Sequence, residues 1–165
     1  MKQRWQTDSD LLLRLIAAGT RMPRWVNEGF EDYAVRLNAD YRLELKEIAL
    51  GQRSGSNPQP AIAKEGERML AALPANAHIV ALQVTGQAMS SEQLARFLTA
   101  RANDARPVAF LIGGPDGLAP ELDARAQTRW SLSALTLPHG LARLMVAEAL
   151  YRAVSIIKGH PYHRA

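Results

Sequence analysis

Apolar residues along the chain form short runs that alternate with segments of helical periodicity. Five runs have the length and flanking turn residues of β-strands; they cover residues 10–18, 42–49, 78–84, 108–112 and a short segment at Trp130. Most are apolar throughout, which is typical of strands buried on both faces. The run at 42–49 instead alternates apolar and charged residues and predicts a strand with one wet face.

Between these strands, apolar residues recur at spacings of three and four, as on one face of an amphipathic helix. The first such face consists of Val26, Phe30, Tyr33 and Leu37. Further helices are predicted over 61–73, from Ser90 or Ser91 onward, over about 120–127, and from 138 to about 157. Alternating strands and helices predict a single α/β domain, with a parallel-type sheet and helices on both faces.

The residues at the start of the third helix give a weak indication of how that helix is capped. Ser90 or Ser91 is suited to cap it, but Ser91 with Gln93 nearby lacks the spacing of a capping box. A simple serine cap is therefore predicted.

Two loops near the C-terminal end carry the most chemical information. Residues 108–117 (VAFLIGGPDG) are five apolar residues and a turn whose glycines let a backbone pass close to a ligand. Residues 130–140 (WSLSALTLPHG) offer small side chains and free backbone donors. Turns after two adjacent strands form a pocket at the carboxyl edge of a sheet, where open α/β proteins bind ligands. A cofactor pocket is predicted there.

Neither loop contains a motif that is specific alone. The glycine turn lacks the spacing of a dinucleotide site or a P-loop, and a tight turn needing positive φ would also explain it. The chain has no GxSxG elbow, which argues against a serine hydrolase. Its four histidines lack the paired spacing of metal ligands, so no metal is expected.

Composition narrows the class of protein. The 165 residues suffice for one domain with a sizeable core, and there is no cysteine. No apolar run approaches the roughly 20 residues of a membrane span, and residues 1–9 are predicted to be a polar tail without a secretory signal. A cytoplasmic protein with no membrane partner is expected. Sixteen of the 20 basic residues are arginine and the net charge is +4, which indicates either a polyanionic partner or a GC-rich genome.

The last helix is apolar nearly all round, which predicts burial on more than one side, with a second copy of the chain as one source of cover. Glu148 precedes Arg152 by four residues, the favourable order for an ion pair; a structural pair and a catalytic role both remain open. Arg143, elsewhere on this helix, is a candidate for contacting a partner. The tail 158–165 (KGHPYHRA) either frays or contributes side chains that stack on a base and bind phosphate.

Several motifs in the same order resemble the RlmH family, SPOUT-class methyltransferases of bacterial large-subunit ribosomal RNA. They are LIGGPDG, WSLSALTLPH, VAEALYRA and HPYHR, joined by AAGTRMPRWVNEGFEDY, KEGERML and VALQVTG. The resemblance implies a SPOUT-like fold with a C-terminal trefoil knot over residues 10–165, a homodimer formed through the C-terminal helix, and S-adenosylmethionine as methyl donor. The implied reaction is methylation of N3 of a pseudouridine in 23S rRNA within the ribosome.

The resemblance also implies site residues. The cofactor would be held by Leu82, Gly113, Gly114, Leu132, Ser133, Ala134, Leu135, Thr136, Leu137 and Pro138. His163 is the hypothetical general base. Tyr162 and Arg164 would orient the RNA base and its phosphate, with Arg152 in support. The loop after residue 49 is poorer in basic residues than is usual in the family, which leaves Arg53 as its candidate RNA contact. Two alternatives stay open: a SPOUT methyltransferase acting on another RNA, and a non-catalytic RNA-binding protein of the same fold.

Overall fold

The computed structural model describes residues 11–37 and 40–164, without the side chains of His163 and Arg164. Its elements are β1 (Leu11–Ala18), α1 (Arg24–Arg36), β2 (Tyr41–Ile48), α2 (Gln59–Ala72), β3 (His78–Ala88), α3 (Ser91–Asn103), β4 (Val108–Ile112), α4 (Pro120–Arg125), β5 (Thr128–Ser131), α5 (His139–Ile157) and a 3₁₀ helix (Pro161–Arg164). The predicted alternation of strands and helices is confirmed. The predicted N-terminal tail, residues 1–9, lies outside the described residues.

The five strands form one parallel sheet in the order β2-β1-β4-β3-β5. Leu13 of β1 lies opposite Leu43 of β2 on one side and Val108 of β4 on the other. The α/β class and the parallel sheet are therefore confirmed. The expectation that the two C-terminal loops follow adjacent strands is wrong, because β3 lies between β4 and β5. The trefoil knot stays a prediction.

Strand β3 runs four residues beyond its predicted end. Its pairing with β5 shifts register between Leu82 and Gln87, both of which lie opposite Trp130. The residues between them form a bulge, a feature that often redirects side chains next to functional sites. The bulge brings Gln83 and Val84 to the edge of the sheet where β4 and β5 end.

Two apolar layers cover the sheet, as the alternation predicts. Helices α1, α3 and α5 pack on one face, where Leu13 and Leu15 contribute to the same cluster as Leu150. Helices α2 and α4 cover the other, where Ile16 packs with Met69. Alternate residues of β1 thus point into opposite layers, as the pleat of a strand requires.

Packing within the chain accounts for much of the apolar surface of α5. The helix lies against both α1 and α3, and Val146, Ala147 and Leu150 are fully buried. Leu141 and Met145 remain 41% and 37% exposed. Packing within the chain therefore covers most of α5, and cover of the remaining face by a second copy stays a prediction.

The cap of α3 differs from the prediction. Ser90 is the N-cap: its hydroxyl accepts from the Gln93 backbone N–H, while the Gln93 side chain accepts from the Ser90 N–H. This is a complete capping box. The prediction failed because it measured the spacing from Ser91, one residue too late.

Candidate functional site

A crevice of about 350 Å³ opens where β4 and β5 end and β3 bulges. Ligand pockets range from roughly 300 to 1,000 Å³, so a small organic molecule fits. Eight of the ten residues predicted to hold a cofactor line this crevice: Leu82, Gly113, Gly114, Leu132, Ser133, Leu135, Thr136 and Leu137. Ala134 and Pro138 do not. The two loops thus meet across β3 at the predicted edge of the sheet.

The glycine turn forms one wall of the crevice. The Gly117 N–H donates to the Gly114 carbonyl over 3.0 Å, and Gly117 has a φ of 87°, a conformation that favours glycine. A Cβ on Gly114 would lie 2.8 Å from Oε1 of Glu65. A side chain at position 114 would therefore collide with a carboxylate of this same chain, while contact of the turn with a ligand stays a prediction.

The serine- and leucine-rich loop forms the opposite wall. Its Ser133 hydroxyl accepts the Leu135 N–H over 2.9 Å, so that donor is not free, contrary to the prediction. The N–H groups of Thr136 and Leu137 have no acceptor among the described residues. Leu135 is 73% exposed at the mouth of the crevice, so its apolar side chain is accessible to a ligand. Both features fit an organic ligand with polar edges.

Gln83 is a residue of the crevice wall that the sequence did not single out. Its amide nitrogen donates to Oδ1 of Asp123, which also accepts from Nε of Arg129 over 3.1 Å. The hydrogen bond from Gln83, helped by the one from Arg129, lowers the pKa of the Asp123 carboxyl. With its nitrogen engaged in this way, Gln83 has its amide oxygen left to accept from a ligand.

Tyr162 of the C-terminal tail packs against α5. The Tyr162 hydroxyl donates to Oε2 of Glu148 over 3.1 Å and lies 3.3 Å from the Tyr33 hydroxyl. Its ring meets Tyr151 edge to face, with centroids 4.6 Å apart. Burial, together with the hydrogen bonds to Tyr33 and Glu148, raises the pKa of the Tyr162 phenol. Tyr162 is therefore protonated at neutral pH and suited to donate a hydrogen bond, not to accept a proton.

Arg152 makes the predicted pair with Glu148, at 2.7 Å from Nη2 to Oε2. Its guanidinium carbon also lies 5.1 Å from the centre of the Tyr162 ring, and the hydrogen bond to Glu148 raises the pKa of Arg152. Both members of the pair thus contact Tyr162 and fix the position of its side chain against α5. The side chains of the other two predicted catalytic residues, His163 and Arg164, lie outside the described residues.

The described part of the tail does not reach the crevice of its own chain. Glu148, the α5 residue to which Tyr162 is bonded, lines a second cavity of about 430 Å³, which we call the hollow. The other residues that line the hollow are Gly29, Tyr33, Met89, Trp130, Ser131, Leu132, Leu144, Met145 and Ala149. Leu132 lines both cavities, so the hollow adjoins the crevice. Tyr162 lines neither.

Two arginines predicted to contact a partner are engaged within the chain. Arg143 is fully buried, with Nη1 2.6 Å from Oε2 of Glu47 and Nη2 2.8 Å from the Gly19 carbonyl oxygen. Arg53 forms ion pairs with Glu65 and Asp116. The prediction for Arg143 is wrong, because its guanidinium is buried against a carboxylate that lies far away in the sequence; an RNA contact by Arg53 stays a prediction.

Most arginines of the described residues take part in ion pairs. Ten arginines of the described residues lie within ion-pair distance of a carboxylate. Arg21 and Arg96 are exposed and do not occur in these pairs. Over the described ranges, no group of three or more metal-binding side chains comes together. Likewise, no helix in those ranges has the length and apolar character needed to cross a membrane.

Comparison with known proteins identifies the family. A family model described as a predicted SPOUT methyltransferase matches residues 11–163. Proteins named ribosomal RNA large subunit methyltransferase H are similar over 154 residues: 53% identity in Pseudomonas aeruginosa PAO1 and 54% in Pseudomonas fluorescens Pf-5, each over 92% of this chain and 99% of the relative. The protein of that name from Alkalilimnicola ehrlichii is 53% identical over 93% of this chain and 99% of its own length.

Two solved structures are more distantly similar. The SpoU methyltransferase AviRb from Streptomyces viridochromogenes has a TM-score of 0.47 and 17% identity, over 92% of this chain and 62% of that one. TrmJ from Z. mobilis ZM4 has a TM-score of 0.44 and 19% identity, over 86% of this chain and 67% of that one. The family match and the relatives at 53–54% identity together show that this chain belongs to the SPOUT methyltransferase family, in its RlmH group.

Proposed function

We propose that this protein transfers a methyl group from S-adenosylmethionine to N3 of a pseudouridine in 23S rRNA, on the assembled ribosome in the cytoplasm. SPOUT methyltransferases use S-adenosylmethionine, which is the cofactor of this chain. The observation that carries the proposal is the crevice, whose two walls are the turns that the RlmH resemblance assigns to the cofactor. The relatives at 53–54% identity are named as methyltransferases of large-subunit rRNA.

The walls of the crevice suit S-adenosylmethionine. Leu135 and Leu137 provide apolar surface for a purine ring, and the N–H groups of Thr136 and Leu137 are available to its polar edge. Gly113 and Gly114 line the opposite wall. When bound there, the cofactor supplies an electrophilic methyl group on a sulfonium. The contribution of the protein is then largely positional, since it holds the acceptor nitrogen in line with that methyl group.

The acceptor nitrogen carries a proton, so the reaction needs a group that removes it. We assign this role to His163, with Arg164 binding phosphate. Tyr162 is unsuited to be the base because its pKa is raised; it and the Arg152–Glu148 pair hold the tail instead. A hydrogen-bond donor near the carbonyl oxygens of the pseudouridine ring would further stabilise the negative charge that develops on that ring.

A homodimer is part of the proposal. Tyr162 does not line the crevice of its own chain, whereas the role proposed for His163 requires the tail and the methyl group to meet. Apolar side chains on α1 and α5 remain exposed, with Trp25 at 55%, Leu141 at 41% and Met145 at 37%. Pairing two copies through this face would cover them and bring the tail of one protomer to the crevice of its partner.

Mass spectrometry of 23S rRNA from a strain lacking the gene tests the substrate. We expect loss of one methylated pseudouridine, restored by the wild-type gene. The purified protein should methylate two substrates from that strain at different rates: intact ribosomes should react faster than 23S rRNA freed of ribosomal proteins. Intact rRNA methylation together with a missing methyl group on another RNA would instead favour the first alternative.

A His163→Ala variant tests the base. It should bind S-adenosylmethionine like the wild type, as measured by calorimetry, and methylate ribosomes at least about 100-fold more slowly. His160→Ala, an exposed histidine in the same tail, is the matched control and should retain activity. Near-normal turnover by His163→Ala removes that residue from the role. Absence of S-adenosylmethionine binding by the wild type would favour a non-catalytic RNA-binding protein.

A further inference from the structure

The segment between β2 and α2 runs beside the glycine turn of the crevice. We call residues 49–58 the strap. The Gly51 N–H donates to Oε2 of Glu65 over 2.9 Å, and Nη1 of Arg68 donates to the Ala49 carbonyl over 2.8 Å. Arg53 of the strap donates to the Gly51 carbonyl over 3.1 Å. Hydrogen bonds to Glu65 and Arg68 therefore tie the first residues of the strap, 49–51, to α2.

Glu65 of α2 is a buried acid, with its side chain 4% exposed. A buried carboxylate is costly unless it is paired and hydrogen-bonded. Arg53 supplies the pairing charge, with Nη1 2.6 Å from Oε2 of Glu65. The ion pair joins the strap to α2 beneath the glycine turn.

The same guanidinium binds a second carboxylate with its other edge. Nε of Arg53 donates to Oδ2 of Asp116 over 2.9 Å, and Asp116 is the residue between Pro115 and Gly117, both of which line the crevice. A planar guanidinium can serve two carboxylates in fixed directions, whereas a lysine ammonium on a flexible stem cannot hold the same geometry. Arg53 thus links the buried acid to the turn.

Glu65 also lies close to the backbone of the turn. A Cβ on Gly114 would lie 2.8 Å from its Oε1, so the backbone at Gly114 rests on this carboxylate. The turn is therefore held at two points, by Glu65 below Gly114 and by Arg53 at Asp116.

We propose that Arg53 is a positioning residue for the methyl donor: by bridging Glu65 and Asp116, it fixes the glycine turn as a preformed wall of the crevice. The inference rests on the proposed function, since it takes the crevice to be the cofactor site. Because the turn is already ordered, binding of the cofactor does not have to restrict its backbone, and the affinity for the cofactor is therefore higher. Neither Arg53 nor Asp116 needs to touch the cofactor for this effect.

Asp116→Asn is the decisive variant, because it removes one ion pair at a side chain that is 39% exposed and leaves Arg53 on Glu65. Titration calorimetry should show S-adenosylmethionine binding weakened about fivefold, the size of a typical coupling within such a network. The thermal midpoint should stay near that of the wild type. In turnover on ribosomes, the KM for S-adenosylmethionine should rise while kcat stays unchanged.

Arg53→Lys should reproduce the loss, and the double variant Arg53→Lys with Asp116→Asn should bind no more weakly than either single variant. That non-additivity identifies one shared interaction. The matched control is Arg125→Met, which breaks the exposed Arg125–Glu121 pair of α4 and should bind the cofactor normally. If Asp116→Asn and Arg53→Lys bind like the wild type, or lose thermal stability alone, the positioning role is wrong.

Leu135→Arg separates this failure from failure of the proposed function. Leu135 is exposed at the mouth of the crevice, so the fold tolerates the change while the site is blocked. Normal binding by Leu135→Arg would place the cofactor elsewhere and overturn both proposals. Weak binding by Leu135→Arg with normal binding by Asp116→Asn would overturn only the role of Arg53.

Discussion

Lowering the pH should destabilise this fold through one buried histidine. His78 is 7% exposed; its Nδ1 lies 3.3 Å from Nη1 of Arg101 and its Nε2 lies 2.9 Å from Oγ1 of Thr128. Arg101 can only donate, so Nδ1 must accept and the ring must be neutral. Burial, with repulsion from Arg101 and Arg106, lowers the pKa of His78 from 6.5 to about 4.

The sign and the size follow from these two pKa values. Because the folded pKa lies below the unfolded one, the stabilisation by neutral His78 is complete above pH 6.5 and is lost as the pH falls toward 4. One pKa unit corresponds to about 1.4 kcal/mol, so between pH 7 and pH 4.5 the free energy of unfolding should fall by about 2 to 3 kcal/mol on this account alone.

Urea denaturation at pH 7 and pH 4.5 measures the effect, with His78→Asn as the variant that cannot titrate. Carboxylates titrate in both proteins, so the difference between their pH dependences isolates His78. The wild type should lose about 2 kcal/mol more than His78→Asn over this interval. His160→Gln, at an exposed position, should behave like the wild type. Equal pH dependence in wild type and His78→Asn would refute the reasoning.

Three further predictions concern stability and the crevice. Glu47→Gln leaves the fully buried Arg143 without its countercharge and should lower the free energy of unfolding by about 3 kcal/mol in urea denaturation; an unchanged midpoint would contradict this. Ser90→Ala removes the capping box of α3 and should cost about 1 kcal/mol in the same assay, whereas a neutral result would show that packing alone sets the start of the helix. Gly114→Ala forces a Cβ against Glu65 and should weaken S-adenosylmethionine binding at least about tenfold by calorimetry; wild-type affinity would show that the turn adapts.

The local parts of this structure could be predicted from the sequence. Each strand and helix follows from the spacing of apolar residues over one or two turns, and both walls of the crevice directly follow apolar strands. Neighbouring residues decide such features, so Gly113 and Leu137 could be placed at one edge of a sheet without knowing the strand order. Leu82 was expected there only from the resemblance to the RlmH family.

Features that depend on distant partners could not be predicted. The position of β3 between β4 and β5 depends on how the chain crosses over, for which apolar spacing carries no signal. Arg143 looked exposed because its partner, Glu47, lies 96 residues away in the sequence. The pair of Arg53 with Asp116 could not be predicted for the same reason, because Asp116 lies 63 residues away. Charged residues are therefore assigned to a surface by default, and only the fold shows which ones are paired.

The crevice gives the central claim its most direct test. A crystal structure of the protein grown with S-adenosylmethionine should show the cofactor between the glycine turn and the serine- and leucine-rich loop, in contact with Gly113 and Leu137. Electron density for the cofactor at any other place, with the crevice closed by its own side chains, would contradict the account.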